Sequence, residues 1–305
     1  MARHGFLFLL LLAGISLPFL VSGYGLEVGW NVLFYMLLAM GCSVSVGYCG
    51  LWDMGYGAKI AIGAYVSGML MQQGVSFWLT LPLSALAGAL FAVLSGWPAR
   101  TLRGDYFAMV TLGIGEMVRI LLRNLPITGG AQGLNGLPRP SLWGMPLTKG
   151  IHWYFLFLGL ALLFALFLQR LEHSRLGLEF RCIREDEDAA AAMGIPVMKR
   201  KLMAYGISSV LGTLTGSFFA AKMTAVTPTT FTFQFSANIL LAVVLGGSGH
   251  YQGAMLGGAF FVLLPELFRF LGEGRILLFG ILLILVMIFC PEGLWGLLRS
   301  WKQKT

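Results

Sequence analysis

The sequence predicts an all-α, polytopic membrane protein of about eight to ten transmembrane helices, with glycine-broken segments and one cytoplasmic helix. Three observations lead there. Hydrophobic residues make up 57% and charged residues 11% of 305 positions, against roughly 45–50% and 25% in an average soluble domain. Apolar runs of helical length recur along the whole chain. Charge is concentrated instead of spread: residues 170–201 hold thirteen of the 34 Asp, Glu, Lys and Arg residues, seven basic and six acidic. No polar stretch is long enough for a soluble domain, so residues 1–305 form one membrane domain with a polar loop at 170–202. The 41 glycines suit helices packed backbone to backbone in lipid.

The N-terminus, MARHGFLFLLLLAGISLPFLVSG, resembles a signal peptide, with Arg3 before an apolar run from Phe6 to Val21. Further spans follow, which favours a retained first helix. Apolar runs then predict spans at 6–22, 30–48, 58–73, 77–98, 105–123, 152–169, 203–222, 234–248, 253–271 and 275–290; eight spans with re-entrant pieces is the alternative. Ten spans put both termini on one side. With Arg3 in the cytoplasm, Arg100, Arg103, the 170–201 loop, Arg299, Lys302 and Lys304 share that side, as the positive-inside bias requires. Arg123, Arg139, Lys149 and Lys222 fall on the other side as exceptions.

The longest outer connection, 124–151, is rich in Gly and Pro and reads as a short lid or docking ledge, or as a plain connector. Two glycine breaks interrupt the apolar pattern. The first, within VGYCGLWDMGYG, carries Gly47, Gly50 and Gly55; the second, within LGGSGHYQG, carries Gly246, Gly247, Gly249 and Gly253. Both place turns between two apolar runs, as a degenerate parallel repeat would, or as chance similarity between glycine-rich turns would.

Charged residues inside apolar runs are costly, roughly 2.5–3.5 kcal/mol each at a helix centre. Glu116, Arg119 and Arg123 recur at i, i+3 and i+7, on one helical face, where Glu116 and Arg119 can pair. That face either lines a translocation path or holds a structural ion pair. Asp53 and Lys59 flank the first break, where a cytoplasmic turn is expected to solvate them. Gln234 and Asn238 sit one turn apart at the head of a span, able to face a path or to tie helices together.

Enzyme chemistry has no foothold here. Neither GGAQGLNG nor GGSGHYQG supplies the Lys-Ser/Thr of a phosphate-binding loop, and no HExxH or G-x-S-x-G occurs. His4, His152, His173 and His250 are scattered, the four cysteines lack metal spacing, and no metal site is expected. The net charge of +8 follows the loops beside apolar runs, so a lipid bilayer, not nucleic acid, is the expected partner.

Within the polar loop, Arg184, Glu185, Asp186, Glu187 and Asp188 precede Ala189–Ala192, then Met193 and Gly194. Acidic residues favour the positive end of a helix dipole, alanines propagate it, and Gly194 with Pro196 stops it. One short helix over 184–194 is expected. Its smooth Ala/Met face fits another protein's groove, or is simply solvated.

The run RCIREDEDAAAAMGIPVMKRKLMAYGISS resembles the cytoplasmic loop of LivM-type permeases, the membrane subunits of branched-chain amino acid ABC importers. The resemblance extends through GDYFAMVTLGIGEMVR, TGGAQGLNG, LAVVLGGSGHYQGAMLGGAF and ILVMIFCPEGLWG, over most of residues 30–298. It implies a permease in a bacterial inner membrane, pairing with a second, LivH-type permease, two cytoplasmic ATPases and a periplasmic binding protein. It makes Arg184 to Gly194 the ATPase-coupling segment. ATP and Mg would then be bound by partner subunits and no cofactor by this chain. A departure is visible at Trp52-Asp53-Met54-Gly55-Tyr56, where relatives commonly carry Ser-Leu-Gly-His/Gln. The resemblance implies import of branched-chain amino acids by alternating access. Urea, short amides or simple sugars are the alternative solutes, and an ion-coupled secondary transporter is the rival class.

Overall fold

The computed structural model describes residues 23–99, 101–102, 104–142, 145–272, 274–289 and 293–297, together with residues 14 and 18. The first expected span, 6–22, lies almost wholly outside the described residues. The other nine spans fall on nine described helices, and the all-α expectation holds. They are α1 (Gly23–Ser43), α2 (Tyr56–Gln72), α3 (Phe77–Ala99), α4 (Gly104–Asn124), α5 (Gly150–Glu172), α8 (Val197–Met223), α9 (Phe233–Gly246), α10 (Tyr251–Leu267) and α11 (Gly274–Phe289). Two short helices, α6 (Arg175–Glu185) and α7 (Glu187–Ala192), occupy the polar loop. Among the described residues, α1 with its continuation to Tyr48, α3, α5 and α8 are long and apolar enough to cross a membrane.

The long helix α8 is central. Its most extensive neighbours are α2 and α3, while α1 packs on α10, α5 and α8, and α9 folds back on α10. Small residues make these crossings close. A Cβ on Gly216 of α8 would strike the carbonyl of Ile60 on α2, and one on Gly258 of α10 would lie 2.6 Å from the Tyr35 carbonyl on α1. Hydroxyls stitch the same surfaces together, with Ser209 donating to the Gly88 carbonyl at 2.7 Å and Ser217 to Ser84 at 2.9 Å. In lipid, where apolar burial between helices gives little drive, such close contacts and hydrogen bonds supply the association.

The connections sort to two ends. At one end, β1 (Leu134–Asn135) of the 124–151 connection, which also holds the antiparallel pair β2 (Ser141–Leu142) and β3 (Met145–Pro146), pairs antiparallel with β4 (Ala225–Val226) after α8. Gln72 donates to the Asn135 carbonyl at 3.2 Å, Trp78 to that of Ser141 at 2.9 Å, and Lys222 pairs with Glu27 at 3.0 Å. At the other end lie the two glycine breaks and the α6–α7 loop. The 124–151 connection is therefore not a plain connector: two 3-10 turns and the β1–β4 pairing pin it to the end of α8.

Candidate functional site

The loop after α5 is built by caps. Ser174 accepts a hydrogen bond from the Gly177 N–H at 3.2 Å and starts α6. That helix ends at Glu185, because Asp186 is extended (φ −156, ψ 113). The Asp186 Oδ1 then accepts from the N–H groups of Asp188, 2.9 Å, and Ala189, 3.0 Å, as the N-cap of α7. Gly194, at φ +83, closes α7. The single helix expected over 184–194 is thus two: Arg184 and Glu185 belong to α6, and an acidic cap inside the acidic run divides them. Helix α6 itself had no clear signal, being weakly apolar and strongly charged.

One side of this loop faces inward. Phe180, Ile183 and Ala190 are buried. Glu187 pairs with the buried Lys201 at 2.7 Å, which also donates to the Leu102 carbonyl, and Arg200 pairs with Glu179. The nearly buried Glu172 joins Arg181, 2.8 Å, to His250, 2.7 Å, a residue within the second break. Arg184 donates from Nη1 to the Gly47 carbonyl at 2.8 Å and from Nη2 to Glu185 at 2.7 Å. That guanidinium holds the exposed Glu185 carboxyl below the usual carboxylate range. The outward side presents Asp188, Ala189, Ala191, Ala192, Met193 and Gly194, all exposed.

The two glycine breaks come together against Arg184. Gly47 lies in a π-helical turn, Val44–Tyr48, that ends α1. A Cβ there would stand 3.2 Å from the Gly249 nitrogen; one on Gly50 would meet the Arg184 Cγ at 3.0 Å, and one on Gly249 the Arg184 Nη1 at 2.6 Å. Gly247 and Gly249 carry φ of +103° and +104°, conformations that L side chains rarely adopt. Gly246 and Gly253 face each other where α9 turns back into α10. The breaks are built differently, since α2 leaves α1 for α8 and α3 whereas α10 stays packed on α9. Gly55 stands apart from this cluster, against Thr111 of α4, whose hydroxyl accepts from the Met54 N–H at 3.2 Å.

Asp53 and Lys59 depart from expectation. Both side chains are fully buried and paired at 2.6 Å, with the Lys59 ammonium 3.5 Å from the Tyr205 ring centroid. Their side chains lie under Tyr205 of α8 and are not solvated. On α4, Glu116 and Arg119 do pair, at 2.7 Å, with side chains 31% and 22% exposed. Glu116 lines a small cleft with Met54, Ala58, Phe231, Thr232 and Ser236. Gln234 and Asn238 do not line it; they hydrogen-bond to each other at 3.0 Å. Ser236, Glu172 and His250 were missed at the sequence level. His250 lies within the second break and Glu172 ends an apolar run, signals too common to single them out. Among the described residues no group of three or more His, Cys, Asp or Glu could hold a metal ion.

Residues 28–291 match the family model described as branched-chain amino acid transport system / permease component. The chain is 37% identical to the high-affinity branched-chain amino acid transport system permease protein LivM of Salmonella typhimurium, over 96% of this chain and 75% of that one. Its likeness to the LivM of Escherichia coli is the same in identity and coverage. It is also 25% identical to the LivH permease protein of Salmonella typhimurium, over 86% of this chain and 91% of that one. No solved structure matches. A multi-helix membrane chain whose two glycine breaks meet a capped polar loop, matched over nearly its whole length, belongs to the branched-chain amino acid transport permease family.

Proposed function

We propose that this permease carries leucine, isoleucine or valine into the cytoplasm by alternating access, driven by ATPases seated on the outward side of α6–α7. The observation that carries the solute is the 37% identity to LivM relatives across 96% of the chain. Its partners in this reading are a LivH-type permease of the same fold, two cytoplasmic ATPases holding ATP and Mg, and a periplasmic binding protein. The loop end of the molecule and both termini then face the cytoplasm, and the β1–β4 end receives the binding protein.

Helix α4 supports a place for the solute path. It exposes Tyr106, Met109, Met117, Ile120 and Leu121 yet carries the partly buried Glu116–Arg119 pair in its second half. A charged pair facing hydrocarbon is costly, so in this reading the pair, which flanks the exposed apolar face, borders the second permease or the path between the two. The cleft beside Glu116 is lined from the same helix by Leu112 and Gly115.

The test is uptake of radiolabelled leucine by the complete transporter in proteoliposomes. ATP-dependent uptake competed by isoleucine and valine is expected. Uptake of another solute with no competition from leucine contradicts the solute assignment, and uptake by this chain alone without ATP contradicts the mechanism.

A further inference from the structure

The geometry points to Arg184 as the residue that transmits loop movement to both glycine breaks, and to the Arg181–Glu172–His250 chain as a second tie to the second break. This rests on the reading of α7 as the ATPase seat, and adds where the motion goes next.

Helices α1, with its π turn, and α9 both end at the loop side of the molecule, so their unsatisfied carbonyls and negative dipole ends converge there. Arg184 is the cation placed between them. Its Nη1 donates to the Gly47 carbonyl at 2.8 Å, and the same nitrogen lies where a Gly249 side chain would stand. Its own stem fills the space left by Gly50. Gly47 and Gly249 also touch each other, at 3.2 Å from a Gly47 Cβ to the Gly249 nitrogen. Arg184 is thus held by the break of α1 while wedged against the break of α9. One turn back on α6, Arg181 joins Glu172 at 2.8 Å, and Glu172 joins His250 at 2.7 Å. His250 is the residue next to Gly249. A displacement of α6 therefore reaches turn 47–50 and turn 247–250 together, and those turns set the relative positions of α1, α2, α9 and α10.

The planar fork is needed for this. A lysine can donate to one carbonyl but has no second arm to hold Glu185 or to fill the space beside Gly249.

The experiment measures solute transported per ATP hydrolysed by the reconstituted full complex carrying R184A, R184K or Gly47→Ala. Gly47 does not have a positive φ, so its alanine variant perturbs the contact with Gly249 without left-handed strain. Co-purification of the ATPases monitors assembly. The expected result is retained assembly and ATP hydrolysis, with the transport-to-hydrolysis ratio falling about tenfold in R184A, the scale of one lost charge-assisted hydrogen bond. R184K and Gly47→Ala fall in the same direction. A purely structural role lowers yield, or lowers uptake and hydrolysis equally; an unchanged ratio overturns the proposal. If R184A does not insert, R184K decides by the same ratio.

Met193→Glu and Ala192→Glu, on the outward side of α7, separate the two readings. Loss of ATPase association in these variants alongside a normal ratio in R184K overturns the Arg184 role alone. Normal association and uptake in the α7 variants overturns the seat on which it rests.

Discussion

Lys59 and Asp53 show what single residues contribute here. Each is fully buried, and each neutralises the other at 2.6 Å beneath Tyr205. Removing one partner strands a charge in a dry site, a loss of about 3–5 kcal/mol, whereas replacing both by neutral groups of similar shape costs little. Lys59→Met alone is therefore expected to lower the thermal unfolding midpoint of the detergent-purified complex sharply, and Asp53→Asn with Lys59→Met to restore most of it. A double variant no more stable than the single one contradicts this account. Reading the chain locally placed both residues beside the first break but left them in water. The residue that covers them is Tyr205, 146 positions further on in the sequence, and no local pattern reports a lid supplied from so far away. Glu116 and Arg119 were legible for the opposite reason, since their pairing depends only on a spacing of three along one helix.

At the scale of elements, helical existence was easy to read and boundaries were not. Apolar runs marked nine described helices because lipid forces backbone hydrogen bonds into helices. The alanine run of α7 and its stop at Gly194 were equally plain. The divide between α6 and α7 was hidden, because Asp186 acts as a cap among neighbours that are also acidic. Capping predicts a distinction between two conservative variants. Asp186→Ala removes the oxygen that accepts from both N–H groups and costs α7 about 1 kcal/mol, while Asp186→Asn keeps most of the cap. Uptake and ATPase co-purification are expected to fall in the alanine variant and to stay near the parent level in the asparagine one. Equal loss in both would make the Asp186 charge, not the cap, the working feature. The acidic residues of the loop are therefore not equivalent. Asp186 caps and Glu187 holds Lys201, while Met193 and the exposed alanines form the surface that the proposed reading offers to a partner.

For the whole molecule, the ties between connections gather mainly at two ends, although the Phe231–Ser236 stretch reaches the first break, where Ser236 accepts from the Gly57 N–H at 2.9 Å. The 124–151 connection meets β4 at one end; the breaks meet α6 at the other. The glycine breaks are visible as sequence, yet their meeting is not, because the contact joins Gly47 and Gly249, which are 202 positions apart along the chain (249 minus 47). In the proposed reading, that meeting is where a partner ATPase acts on several membrane helices at once. The central claim is that the outward side of α7 is where that partner sits. Its most direct test places a photo-crosslinking amino acid at Met193, 67% exposed, in the full transporter in native membranes. The account predicts a light-dependent adduct of permease and ATPase that changes in yield with nucleotide. A transport-competent complex that gives no such adduct, while a probe at Ile127 on the opposite end captures the ATPase, would contradict it.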